Sequence, residues 1–235
     1  MSERLIALDV LTRGPAQPLP PSRYRFPDPT SFPAEGLVAA GGDFAPATIV
    51  EAYRTGTFPW PHPSAELLWF SPDPRSVIEP DGLHVSRRLA RTLRQGRFRA
   101  TIDAAFERVI RACAVRPEDE GSWITERLIR GYLELHDLGW AHSVETWTPE
   151  GELAGGLYGV AVGAMFGAES MFHAATDASK AAMVAMMQHA RDLGLAFVDI
   201  QVITPHTASM GAHEIPRAQY LLRLRKALEH DVRWG

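Results

Sequence analysis

The chain has 235 residues, 46% of them hydrophobic and 22% charged, a balance that suits a packed globular protein and excludes intrinsically disordered and collagen-like chains. Lysine and arginine number 24 against 28 acids, a net charge of -4, so any site for a polyanion must be a local patch rather than a global field. One cysteine, Cys113, excludes an internal disulfide and multi-cysteine zinc sites; with no signal-peptide core and no membrane-length apolar run, a cytoplasmic protein is expected.

Prolines crowd residues 15–80 (FPDPTSFP, FPWPHP, SPDPR) and longer periodic segments follow, which predicts a small irregular N-terminal domain over 1–74 and a larger one over 75–235. Within the first, PATIVEAYRTG has a proline start, Ile49 and Tyr53 four apart and a glycine end, and so predicts a helix from Pro46 to Gly56. Ser86 is placed to cap a helix that runs to Gln95, with Val85, Leu89 and Leu93 on one side and Gly96 as its stop. Two amphipathic helices are expected over Asp103–Ala114 and Thr125–Leu138, the second aligning Leu128, Tyr132 and Leu135. The runs Ala141–Trp147, Glu152–Val162 and Ala164–Phe172 are short, β-rich or glycine-studded, as in an antiparallel meander. Thr176 is placed to cap a methionine-rich helix stopped by Gly194. A buried strand follows over Ala196–Ile203, and Pro216 opens a final helix with Leu221, Leu224 and Leu228 in register. Helices, meander, helix, strand and helix in that order make the fold class α+β.

Three features carry chemistry. In AFVDIQVI, strand alternation puts Asp199 and Gln201 on one face and Val198 and Ile200 on the other. Burying a bare carboxylate is costly, so the pair either borders an open cleft or meets donors elsewhere in the fold. Glu169, among Phe166, Met171 and Phe172, is a second carboxylate in apolar company; it is either solvent-facing or, if the two strands are neighbours, joined with Asp199 and Gln201 in one pocket. The third is an arginine run, Arg87, Arg88, Arg91, Arg94, Arg97 and Arg99, with no compensating acid, which fits either a solvated helix face or a phosphate-backbone contact. Other motifs fail. His206 and His213 form no HExxH pair, GGLYGVAVG reads as close strand packing, and RDLGLA closes a helix, whereas an acetyl-CoA loop must open one. Cys113 reads as a core residue.

The segments EGLVAAGGDFAPATIVEAYRTGTFPW, LLWFSPDPR, LHVSRRL, SWIT, HDLGWAHSVETW, GGLYGVAVGAMFGAESMF, DASKAA and VDIQVITPHTASMGAHEIPR, taken in order, resemble the bacterial leucyl/phenylalanyl-tRNA protein transferases from about Phe32 to about Tyr220. The resemblance implies a small N-terminal domain joined to a GCN5-type acyltransferase-like domain, with a mainly antiparallel sheet flanked by helices. It implies transfer of Leu or Phe from aminoacyl-tRNA to the N-terminal Arg or Lys of a protein, which marks that protein for degradation. Met is a further candidate donor residue. Neither metal nor cofactor is implied, nor a membrane. By motif, Trp60 and Tyr53 belong beside the terminal adenosine of the tRNA, with Trp123 and Tyr132 lining nearby space. Leu157, Phe166, Met171, Met183, Met186 and Val198 would wall the side-chain pocket with Glu169 at its rim, and Arg87, Arg88, Arg91 and Arg94 would hold the acceptor stem. Asp199 would accept or position the attacking amine, Gln201 would orient it, and a substrate-assisted route stays open. The sequence departs from the pattern of the resemblance at Ala168, His173 and Ile200, where the family carries Gly, Ser and Cys, which implies a pocket of altered shape.

Overall fold

A computed structural model describes residues 4–60, 66–115 and 123–234; the His62 and Ser122 parts of the FPWPHP and SWIT motifs lie outside them. The first half runs through β1 (Leu8–Val10), β2 (Leu37–Ala40), α1 (Pro46–Arg54), β3 (Phe58–Pro59), β4 (Leu68–Phe70), β5 (Arg75–Ile78), α2 (Arg87–Arg94), β6 (Arg99–Ile102) and α3 (Phe106–Ala114). The second half runs through α4 (Glu126–Asp137), β7 (Ala141–Trp147), β8 (Leu153–Val162), β9 (Met165–His173), α5 (Ala178–Leu193), β10 (Phe197–Gln201), α6 (Pro205–Ala208), β11 (His213–Ile215) and α7 (Arg217–Ala227).

An eight-stranded sheet in the order β1-β6-β7-β8-β9-β10-β5-β11 forms the middle layer, and β2-β4-β3 make a small separate sheet. Only β1 with β6 and β9 with β10 pair in parallel; the other neighbours are antiparallel, and the expected α+β class with its helix-flanked sheet is what the chain adopts. Against one face pack α1, α3, α4 and α7 through Ile49, Tyr53, Val109, Leu128, Tyr132 and Tyr220. Against the other pack α2 and α5 through Leu89, Leu93, Met183, Met186 and Met187. Each such side chain contributes about 1.5–3 kcal/mol of burial. We propose residue 74 as the end of the segment that carries the small sheet, not as a boundary between two cores. β1 belongs to the large sheet, and Ile49 and Tyr53 share a core cluster with α3 and α4. No helix among the described residues is long and apolar enough to cross a membrane.

Capping explains where several elements begin. Ser86 Oγ accepts from the Leu89 amide at 3.2 Å and Thr125 Oγ1 from the Leu128 amide at 3.3 Å, so α2 and α4 start as expected. The helix expected from Asp103 starts only at Phe106. Asp103 sits at φ 62°, and its carboxylate takes the Ser143 amide at 2.9 Å and His142 Nδ1 at 2.7 Å instead of capping. The cap of α3 comes from β7, where Glu145 accepts the amides of Ala104 and Ala105 at 3.3 and 3.2 Å. Thr176 does not cap α5 either, because Asp177, at φ 69°, occupies the N-cap position and makes no side-chain capping bond. Gly194 ends that helix at φ 71°, where an L side chain would be strained, so RDLGLA is a helix stop.

Candidate active site

The site is made by two strands that part company. β9 and β10 run in parallel register through Phe197–Met165, Val198–Phe166 and Asp199–Gly167, and their pairing ends there. Just beyond, each strand carries a bulge on its other edge. Opposite β8, Tyr158 pairs with Ser170 and Gly159 with Ala168, which leaves Glu169 as the extra residue. Opposite β5, Asp199 pairs with Val77 and Gln201 with Ser76, which leaves Ile200 as the extra residue. Bulges bend their strands, so the two tips diverge and open a cavity of about 690 Å³ between them. Ala168, Glu169, Ser170 and Met171 line one side and Ile200, Gln201 and Val202 the other, with Leu157 and Met183 behind. The small sheet and the start of α4's approach add Phe58, Pro59, Trp60 and Trp123 at the mouth, and Trp60 is 45% exposed.

The bulge at Ile200 overturns the expected alternation. Gln201 takes φ 62°, which ends the strand and parts its side chain from that of Asp199. Gln201 Nε2 donates to Glu169 Oε1 at 2.8 Å, while Asp199 lies beneath the cavity with no exposed surface. There Arg75 grips the Asp199 carboxylate with two bonds, from Nε at 2.9 Å and Nη2 at 2.6 Å, and the Tyr220 hydroxyl donates at 2.9 Å. The Gln201 amide donates to the same carboxylate at 2.9 Å. Arg75 also bonds the Gly56 carbonyl at 3.2 Å, and its guanidinium lies over the rings of Phe58 and Tyr220. Burial works against its charge, yet attraction to Asp199 prevails and raises its pKa.

Glu169 is held differently. The hydroxyls of Tyr53 and Tyr132 donate to its two oxygens, the latter at 3.1 Å, alongside Gln201. Burial pushes its pKa well above the usual carboxylate range; the Gln201 bond opposes this and the charge of Asp199 adds to it. The closeness of Tyr53 depends on Gly167, since a Cβ there would meet the ring at 2.5 Å.

Of the residues expected at the site, Glu169, Gln201, Trp60, Trp123, Leu157, Met171 and Met183 line the cavity. Phe166, Met186 and Val198 do not; all three are fully buried in the core on the α5 side, Phe166 and Val198 because they lie before the strands part and Met186 because it sits in the packed face of α5. Tyr53 and Tyr132 are also fully buried, so their rings present no face to the cavity, and their hydroxyls reach Glu169. Asp199 is absent from the wall for the reason given above. Arg75 and Tyr220 were missed, because their place at the site follows only from Asp199, which the fold brings against both. Among the described residues, no group of three or more His, Cys, Asp or Glu side chains is arranged to hold a metal.

Residues 77–225 match the family described as leucyl/phenylalanyl-tRNA protein transferase, and residues 42–73 match its N-terminal domain. The chain is 50% identical over 218 residues to the leucyl/phenylalanyl-tRNA--protein transferase of Anaeromyxobacter sp. (strain K), covering 92% of this chain and 93% of that protein. It is 48% identical to the one from Pseudomonas putida, covering 89% and 91%. The chain belongs to the leucyl/phenylalanyl-tRNA protein transferase family. It is therefore an aminoacyltransferase. Among solved structures it is similar to L-PGS from Bacillus licheniformis at a TM-score of 0.39 and 13% identity, covering 57% of this chain and 47% of that one.

Ala168 beside Glu169, Ile200 at the bulge and the exposed His173 all line the cavity. On α2, Arg87, Arg88, Arg91 and Arg94 are exposed opposite the buried Leu89 and Leu93. Arg88 reaches Asp177 at 3.2 Å, two residues before the cavity-lining Ser179, so the arginine face borders the site.

Proposed function

We propose that this transferase takes Leu or Phe, with Met as a further donor residue, from aminoacyl-tRNA and joins it to the N-terminal Arg or Lys of a protein in the cytoplasm, marking it for degradation. The observation that carries the reading is the meeting of Glu169 and Gln201 on the wall of an aromatic- and methionine-lined cavity between two splayed strands. Its volume of about 690 Å³ has room for an aminoacyl-adenosine end, and Met171 and Met183 adapt to either an aliphatic or an aromatic side chain. The rings of Trp60 and Trp123 suit stacking on the terminal base.

The reaction is aminolysis of an ester. The α-amine nitrogen forms a bond to the carbonyl carbon, the bond to the ribose oxygen breaks, the amine gives up a proton and the ribose oxygen gains one. An α-amine has a pKa of about 7.7–8.0, so near neutral pH most of it arrives as ammonium. Gln201 donates through Nε2 to Glu169, which leaves its amide oxygen to accept a hydrogen bond from the incoming amine. Glu169, with its raised proton affinity, is suited to receive the proton once it is itself ionised. Asp199, closed off from the cavity, is a positioning residue: with Arg75 and Tyr220 it anchors the Gln201 amide and so sets the bulge.

The test is to incubate the protein with labelled Phe-tRNA and a peptide beginning with Arg. Labelled peptide is the expected product. Binding of the charged tRNA without any transfer would instead mean a tRNA-binding module with an idle pocket.

A further inference from the structure

The polar end of the same cavity is unclaimed by this chemistry. α5 starts there without a cap: the Asp177 carboxylate turns away to Arg88, and the first turn contains no acid. The amides of Ala178 and Ala181 find the carbonyls of Ala175 and Asp177, while those of Ser179 and Lys180, also in the first turn, have no partner within the helix. Two further groups at this end also lack partners. Ser179 lines the cavity at 6% exposure and its hydroxyl makes no hydrogen bond with a described residue, and His206 Nε2 is buried without a partner. Burial lowers the pKa of His206, and the positive charges of Lys180 and His173 lower it further. Among the described residues lining the cavity, Glu169 is the only acid, and it belongs to the other end.

Such a place is short of negative charge and rich in donors. The Ser179 hydroxyl and the His206 imidazole line this end, the uncapped amides belong to the same turn as Ser179, and the Lys180 ammonium is near enough to act on His206, a set that suits a tetrahedral anion with several acceptor oxygens. We propose that the uncapped start of α5, with Ser179, Lys180 and His206, is a phosphodiester subsite for the 5′-phosphate of the terminal nucleotide of the charged tRNA. The proposal rests on the reading given under Proposed function, because that phosphate is the first anion met on leaving an aminoacyl end seated at Gln201. With the ester at Glu169 and Gln201 and the phosphate at α5, the terminal nucleotide is fixed at both ends, and the ester is aligned before the amine arrives.

Two measurements test it. Calorimetric binding of adenosine is compared with that of adenosine 5′-methyl phosphate, and transfer to an Arg-peptide is compared for the 3′-phenylalanyl esters of the same two compounds. The wild type is expected to favour the phosphodiester by about tenfold in both. Lys180→Ala and Ser179→Ala are expected to erase most of that preference while leaving the nucleoside compounds, and the melting temperature, unchanged. Equal binding of the two ligands by the wild type would overturn the proposal, as would a preference that survives both substitutions. A binding preference lost in the variants supports the subsite even if no ester is transferred; in that case the proposed reaction fails and the phosphate site stands.

Discussion

Asp199 and Glu169 are both cut off from bulk water, one beneath the cavity and one in its wall, and they are held by opposite means. Asp199 faces a full cation in two-pronged contact, together with a hydroxyl and a main-chain amide. Glu169 faces two hydroxyls and a side-chain amide, none of them charged. With every donor around it already committed, the Asp199 carboxylate ties β5, β10 and α7 together and has no contact with the cavity. Glu169, served only by neutral donors, has its pKa raised well above the usual carboxylate range by burial. The same side-chain chemistry is thus closed into the scaffold in one place and presented to the cavity in the other.

The largest effect should follow from breaking the scaffold. Arg75→Ala leaves Asp199 buried without its cation and is expected to cost about 3–5 kcal/mol in urea unfolding. Adding Asp199→Asn to it should restore part of the loss, because the stranded charge is then removed; a double variant no more stable than the single one would break the comparison. Next is Glu169→Gln, which keeps the shape of the group and removes its proton chemistry. Transfer should fall by about 100-fold or more without a fall in melting temperature, and loss of both would make Glu169 structural too. Third is the acid limb of the pH–rate profile. Transfer that needs ionised Glu169 rises with pH through its folded pKa, so the midpoint is expected above the value of about 4.3 for an ordinary glutamate. Stability has the opposite sign for this group. A raised acid pKa means the unfolded chain ionises first, so the contribution of Glu169 to stability declines as pH climbs above about 4.3 and Glu169→Gln removes that decline. The smallest effect on chemistry is expected outside both carboxylates. Replacing Arg87, Arg91 and Arg94 by Ala should weaken tRNA binding and flatten its logarithmic salt dependence by up to about 2–3, with transfer from a short aminoacyl ester unchanged.

How well each element could be read depended on length and on whether its signals were local. β7 was delimited from its own residues, and β8, β9 and α2 to within a residue or two, because each carries its own alternation, cap or glycine stop. β5 was not foreseen, although it is paired on both edges in the large sheet, between β10 and β11. At four residues it has no period to read, and Arg75 at its start argues against a core strand until Asp199 is known to be opposite. The start of α3 was misjudged for a related reason: its cap, Glu145, lies on β7, well along the chain.

The amino-acid order alone determined the α+β class, the family resemblance, the helix stop at Gly194 and the three polar residues that stand out in apolar strands. Those are properties of neighbouring residues and of motif order, which a chain displays before it folds. Only the tertiary structure decided that Asp199 and Gln201 part at a bulge, that Arg75 neutralises one carboxylate while tyrosines hold the other, and that the start of α5 shares their cavity. Bulges and buried pairs arise from contacts between strands distant in sequence, and no local pattern records which residue will stand opposite which.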